Sequence, residues 1–204
     1  MLRVGLTGSI GVGKSFVTGV LAELGCRVLD ADQTARAVVE KDTPGLRAVI
    51  KAFGSDLLLE DGSLDRMRLA DLIFADEGKR GLLNSILHPQ IIALQDEQLR
   101  AWEQEDPAGI AVIDAALMIE SGGYKRFDKL IVVHCRPEVQ LQRIMSRHGF
   151  SRQESMKRIN AQMSQDEKKK FADYLIDTSE GFESTRNRTK EVYERLLQQI
   201  AKAD

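Results

Sequence analysis

Short, almost unbroken apolar runs alternate along the chain with longer stretches in which apolar residues recur every three or four positions, the pattern of parallel βαβ units. Five runs read as strands: Leu2 to Leu6, Arg27 to Leu29, Ile110 to Ile113, Lys129 to Val133 and Tyr174 to Ile176. They show little alternation, and a strand apolar on both sides suits a parallel sheet covered by helices on both faces. The expected class is α/β. The stretch between the second and third strands is too long for one crossover helix. Within it Thr43-Pro44-Gly45 breaks the first helix, Asp61-Gly62 reads as a tight turn, Asp65 caps a further helix, and His88-Pro89 opens a long one toward Glu105. A mostly helical insertion is therefore expected at about residues 37–105. A second excursion, 137–170, carries two S-x-x-E capping boxes, Ser151 to Glu154 and Ser164 to Glu167. Its charge-dense helices, joined at His148-Gly149, read equally as a mobile lid or a solvated hairpin. Val192, Leu196, Leu197 and Ile200 predict an amphipathic C-terminal helix packed on the sheet. One unit is expected, its core made of residues 1–36, 106–136 and 171–204.

Composition narrows the partners. The 204 residues suffice to bury a core without staples. With 29 Lys and Arg against 31 Asp and Glu, the net charge of −2 gives no global field toward nucleic acid or an anionic membrane. A polyanionic ligand must then be held by a local site. No run approaches the roughly 18 uncharged apolar residues of a membrane span, since Asp114 interrupts even the stretch from Gly109 to Ile119. The polar, glycine-rich sequence from Thr7 onward does not read as a secretory signal. Cys26 and Cys135 stand outside any ligand spacing, which favours a reducing cytoplasm. The expectation is a cytoplasmic monomer with no nucleic-acid or membrane partner.

Gly8-Ser9-Ile10-Gly11-Val12-Gly13-Lys14-Ser15 fits G-x-x-x-x-G-K-[ST] between the first strand and a helical stretch. Glycines let successive backbone N–H groups turn inward around phosphate oxygens, and the helix N-terminus adds positive potential. Lys14 reaches the outer phosphates and Ser15 can ligate Mg²⁺. The expected fold is a P-loop NTPase fold: a five-stranded parallel sheet with helices on both faces, a helical insertion and a lid. Guanine reading would need Asn/Thr-Lys-x-Asp, whereas Thr189-Lys190-Glu191-Val192 lacks the Asp and lies in a helical stretch. Motor and transport ATPases need further domains. A small-molecule kinase remains.

Asp30 and Asp32 follow the second strand, read as lying beside the end of the first strand, at the edge where open α/β sheets bind ligands. Either could accept the proton of an attacking hydroxyl, position Mg²⁺ through water, or simply cap the next helix. His88 could be a substrate contact or a structural hydrogen-bonding group. Arg143 and Arg147, four apart on one helix, could hold phosphates or form a solvated stripe. Glu120 could orient an acceptor or close a strand–loop junction. Lys168-Lys169-Lys170 reads as a solvated run.

The order and spacing of these pieces resemble the dephospho-coenzyme A kinase family. The run Gly5 to Ser15, Asp30-Ala31-Asp32, His88-Pro89, Asp114 to Glu120, Arg143 and Arg147, Gln162, and Ala172-Asp173 leading into Ile176-Asp177 together cover nearly the whole chain. The resemblance implies transfer of the ATP γ-phosphoryl to the ribose 3′-hydroxyl of dephospho-CoA, with Mg²⁺. It implies Asp32 as base, with Lys14 and Arg143 beside the transferring group. ATP would meet Gly8, Gly11, Val12, Gly13, Lys14, Ser15, Phe16 and Arg147; the acceptor would meet Asp32, His88, Leu117, Met118 and Glu120. The sequence departs from the family's pattern at Ala116, which replaces a proline, and at Ser9, Phe16 and Thr178. Another metabolite kinase of nucleoside or shikimate type, or an NTP-binding regulator without chemistry, would share the loop, and acceptor-stimulated ADP release separates them.

Overall fold

The computed structural model describes residues 1–74 and 76–201; the last three positions of the expected core lie outside the described residues. Strands β1 (Leu2–Thr7), β2 (Arg27–Asp30), β3 (Ile110–Asp114), β4 (Lys129–His134) and β5 (Tyr174–Asp177) form one sheet in the order β2-β3-β1-β4-β5. The ladders of β1 with β3, β1 with β4, and β4 with β5 are parallel. All five strands run one residue past the apolar pattern, because the ladder includes a terminal polar residue that hydrophobicity alone leaves out. Thr7, Asp114, His134 and Asp177 consequently gather at the carboxyl edge of the sheet, the side on which doubly wound sheets bind ligands.

The strand order corrects one expectation. The end of β2 does not flank β1; β3 stands between them, so the carboxylate beside the start of the phosphate loop is Asp114, paired in register with Leu6. Parallel neighbours are joined by long crossovers, so succession along the chain does not dictate adjacency in the sheet.

The chain divides into two compact units, residues 1–29 with 102–204, and residues 30–101. In the first, Val4, Leu6, Val112, Ile131 and Val133 of the sheet pack with Val17 and Leu21 of α1 (Lys14–Glu23) and with Val192 and Leu196 of α9 (Gly181–Ile200). Leu197, expected on that buried face, is exposed, since one residue turns the direction by a little over a quarter of a helical turn. The same unit holds α6 (Pro137–His148), α7 (Arg152–Asn160) and α8 (Gln165–Lys169), and both capping boxes form at the starts of α7 and α8.

In the second unit, α2 (Ala31–Val38), α3 (Pro44–Phe53), α4 (Arg66–Phe74) and part of α5 (Glu77–Glu105) enclose a separate core that includes Val38, Leu46, Val49, Leu69 and Leu83. Asp65 caps α4, accepting from the Arg68 amide at 3.0 Å. His88-Pro89, by contrast, opens no helix: α5 begins at Glu77 and runs through Pro89. Asp76 gives the start, its carboxylate accepting from the Lys79 amide at 3.0 Å. Leu83, Ile86 and Leu87 before the proline and Ile91 after it share one core, so burial on both sides carries the helix across a residue that removes a backbone bond.

Candidate active site

The phosphate loop leaves β1 at Thr7 and enters α1 at Lys14. All three of its glycines are demanded by geometry, Gly8 because a Cβ there would meet the Val133 carbonyl oxygen at 2.6 Å. Gly13 precedes α1 at φ 86°, and Gly11 stands at φ 78°, where a Cβ would meet Ile144 Cγ1 at 2.6 Å. Side chains disfavour that left-handed backbone, and at Gly11 there is also no room for one. The Lys14 and Ser15 amides open α1, and first-turn amides have no acceptor inside their own helix. They are the donors an anion meets at the positive end of the helix dipole.

Under the loop, Lys14 Nζ is ion-paired with Asp114 Oδ1, and Thr18 Oγ1 donates to Asp114 Oδ2 at 2.9 Å. Asp114 is 7% exposed, so its carboxylate depends on these partners for the solvation it has lost. On the other flank Arg143 of α6 donates to Thr178 Oγ1 at 2.8 Å and to Thr178 O at 2.7 Å. The Thr178 hydroxyl in turn donates to Val12 O at 2.6 Å. The loop is thus tied from below to β3 and from the side to α6 and the residue after β5.

These elements enclose a groove of about 810 Å³, within the range of small-molecule sites. Among the described residues its charged lining is wholly cationic: Lys14, Arg143 and Arg147. Phe16 and Phe182 also line it, their rings 4.8 Å apart and tilted by 52°, and Phe182 is 74% exposed. Such an exposed aromatic edge beside three cations suits a ligand with a flat ring and a polyanionic tail.

A short segment, residues 162–168, fastens the loop to its surroundings. The Ile10 amide donates to Gln162 Oε1 at 2.8 Å, Ser9 Oγ donates to Met163 O at 3.3 Å, and Gln140 Nε2 donates to Ile10 O at 2.7 Å. Ser9, a departure from the family's pattern, therefore ties the loop to this segment.

Gly8, Gly11, Val12, Gly13, Lys14, Ser15, Phe16, Arg143 and Arg147 all line the groove, with the Val12 side chain itself in the core. Asp32 and His88 belong to the second unit and are exposed there, His88 in mid-α5. Asp30 takes the capping role, accepting from the Asp32 amide at 2.8 Å and the Gln33 amide at 3.3 Å, which leaves the Asp32 carboxylate outside the cap. Leu117 is open to solvent, but Met118, expected at an acceptor, is 3% exposed, and a Cβ on Gly5 would meet its sulfur at 2.6 Å. The Met118 side chain is therefore core packing. Glu120 closes a junction: Oε1 accepts from the Met163 amide at 3.2 Å and Oε2 from Lys168 Nζ at 2.8 Å. The solvated-run expectation fails at Lys168, which is fully buried because that carboxylate and the Ala116 carbonyl supply its partners. Asp114 carried a visible signal, a lone charge closing an apolar strand run. Thr178 was visible only as a departure from the family's pattern, and Gln140 carried no signal, since polar residues are common on surfaces.

The chain matches the family model described as dephospho-CoA kinase over residues 2–184. It is 42% identical over 196 residues to the dephospho-CoA kinase of Listeria innocua, covering 95% of this chain and 96% of that protein. Its fold is similar to that of TT1252 from Thermus thermophilus, with TM-score 0.81, 30% identity, and 96% and 97% of the two chains covered. The dephospho-CoA kinase of Campylobacter jejuni gives TM-score 0.64 at 25% identity, with 95% and 96% covered.

Proposed function

The chain belongs to the dephospho-CoA kinase family, and on that premise we propose that it transfers the γ-phosphoryl of ATP to the ribose 3′-hydroxyl of dephospho-CoA, giving CoA and ADP, the last step of CoA synthesis. The observation that carries the reading is the groove itself, where the amides opening α1 and three side-chain cations converge on one cavity. Transfer of a phosphoryl group asks mainly for alignment and charge stabilisation. The acceptor oxygen forms a bond to the γ-phosphorus, the bond to the bridging oxygen of ADP breaks, and the hydroxyl proton leaves to a carboxylate. Asp32 is the candidate for that carboxylate, since Asp30 already serves as the cap. Lys14 would exchange its Asp114 partner for phosphate oxygens, and Arg143 and Arg147 would share the remaining negative charge.

Mg²⁺ fits the oxygen donors here. Ser15 is an exposed residue at the start of α1, and Asp114 closes the neighbouring strand. Among the described residues no group of three or more His, Cys, Asp or Glu side chains could hold a metal ion. An ion held by a hydroxyl, one carboxylate and the nucleotide's own phosphates matches the way Mg²⁺ usually binds. It would supply neutralisation of phosphate charge. Residues 137–170 would act as the lid that excludes water, and 37–105 as the acceptor subdomain. The enzyme would work in the cytoplasm as a monomer without nucleic-acid or membrane partners; no helix among the described residues is long and apolar enough to cross a membrane.

The test is ADP release and product mass with Mg·ATP and a panel of acceptors. Turnover with dephospho-CoA is expected, and good turnover of a nucleoside or shikimate beside none with dephospho-CoA would overturn the reading. Asp32→Asn is expected to lower turnover by about 10² while nucleotide affinity stays near wild type, as loss of a general base does. A near-normal rate would remove Asp32 from the reaction.

A further inference from the structure

A lysine side chain is almost never fully buried, and Lys168 is 0% exposed. Its Nζ donates to Glu120 Oε2 at 2.8 Å and to Ala116 O at 2.8 Å. The Ala116 carbonyl also accepts from Thr7 Oγ1, at 3.1 Å, so the backbone just after β3 is held between the end of β1 and α8. The other Glu120 oxygen accepts from the Met163 amide. Met163 and Gln162 are the same residues whose carbonyl and side-chain amide oxygens hold Ser9 and Ile10 of the phosphate loop. A seven-residue segment therefore grips both the phosphoryl-donor loop and the wall that follows β3, where Leu117 is the exposed apolar side chain. Only the lysine end of this pair is buried, the Glu120 side chain being 25% exposed, and drawing such a charge out of water adds little to stability compared with an apolar residue of the same shape, so stability alone gives a weak reason for a charge here.

We propose that Lys168 is a positioning residue for the transfer: through Glu120 and the Ala116 carbonyl it sets residues 115–120 at a fixed place beside the phosphate loop, and so sets the alignment of the acceptor against the donor. This rests on the function proposed above for the groove. Lys168 touches neither nucleotide nor acceptor, and it acts through the wall.

The test is Lys168→Met, examined for its unfolding midpoint, Mg·ATP affinity, steady-state kinetics with dephospho-CoA, and amide hydrogen exchange. The expected variant is folded and binds Mg·ATP within threefold of wild type. Its kcat with dephospho-CoA is lower by about 10², the loss typical of a misplacement near 1 Å, and exchange at residues 115–120 is faster. A folded variant whose kcat stays within threefold of wild type overturns the proposal, as does a loss of nucleotide affinity that parallels the loss of kcat. A merely structural lysine would lower the midpoint and leave kcat alone. If Lys168→Met does not fold, the double variant Lys168→Met/Glu120→Gln removes both charges together and carries the same expectation. Should the wild-type chain fail to phosphorylate dephospho-CoA, the proposed function falls, while faster exchange at 115–120 in the variant still supports the positioning role and unchanged exchange overturns it.

Discussion

Lys14 is ion-paired with a nearly buried carboxylate, and under the proposed function the same ammonium must also meet the anionic tail of a nucleotide. On that proposal, replacing it removes the charge that would follow the phosphates through the transfer. Lys14→Ala is expected to cost about 10³ in turnover, on the scale of losing a preorganised electrostatic contact, and to lower the unfolding midpoint, because the nearly buried Asp114 carboxylate loses its cation. A rate within tenfold of wild type would contradict the reading of the loop. At the opposite extreme of reactivity lies Cys26, packed in the sheet core, where burial pushes its thiol up to about 12 from 9.0. Thiolate at pH 8 is then about 10³ less abundant than for a free cysteine, and alkylation of the native chain should be slower in proportion. Because the folded value is raised, the contribution of Cys26 to stability is complete below about pH 9 and declines as pH climbs through about 12. Rapid labelling of Cys26 in folded protein at pH 8 would contradict its place in the core.

Among the elements, α5 shows how packing overrides a local breaker. Pro89 has no N–H to give to the carbonyl one turn back, yet the apolar residues on either side belong to one core and keep the helix continuous. Pro89→Ala restores that donor, and the expected outcome is a gain of about 1–3 kcal/mol, read as a higher urea midpoint with an unchanged slope. A lower midpoint would mean that the proline shapes a bend the core requires. The two serine caps of α7 and α8 illustrate the converse, a local signal that survives intact, since each box satisfies its own first-turn donors without help from the rest of the molecule.

At the scale of the whole molecule, binding and folding are linked. A nucleotide held by the folded groove alone stabilises the native state, by about 2.7 kcal/mol at a free concentration 100 times its dissociation constant. Saturating Mg·ATP is therefore expected to raise the unfolding midpoint of the wild type, and to raise that of Lys14→Ala much less, as followed by thermal melting. Equal shifts in both would argue that the nucleotide binds elsewhere. The apolar runs, the glycine-lysine loop and the capping boxes could be read directly, because each rests on contacts a few residues apart in the chain. The five strands, the glycine-rich loop between β1 and α1, and the starts of α7 and α8 were determined in that way by sequence alone. Strand order, the continuity of α5, the core role of Met118 and the burial of Lys168 came only with the tertiary structure. These depend on partners about fifty or more residues distant, or on apolar packing from several helices at once. A lysine among lysines reads as solvated until a carboxylate and a carbonyl from another part of the chain are folded onto it, and long-range pairing of that kind leaves no periodic mark.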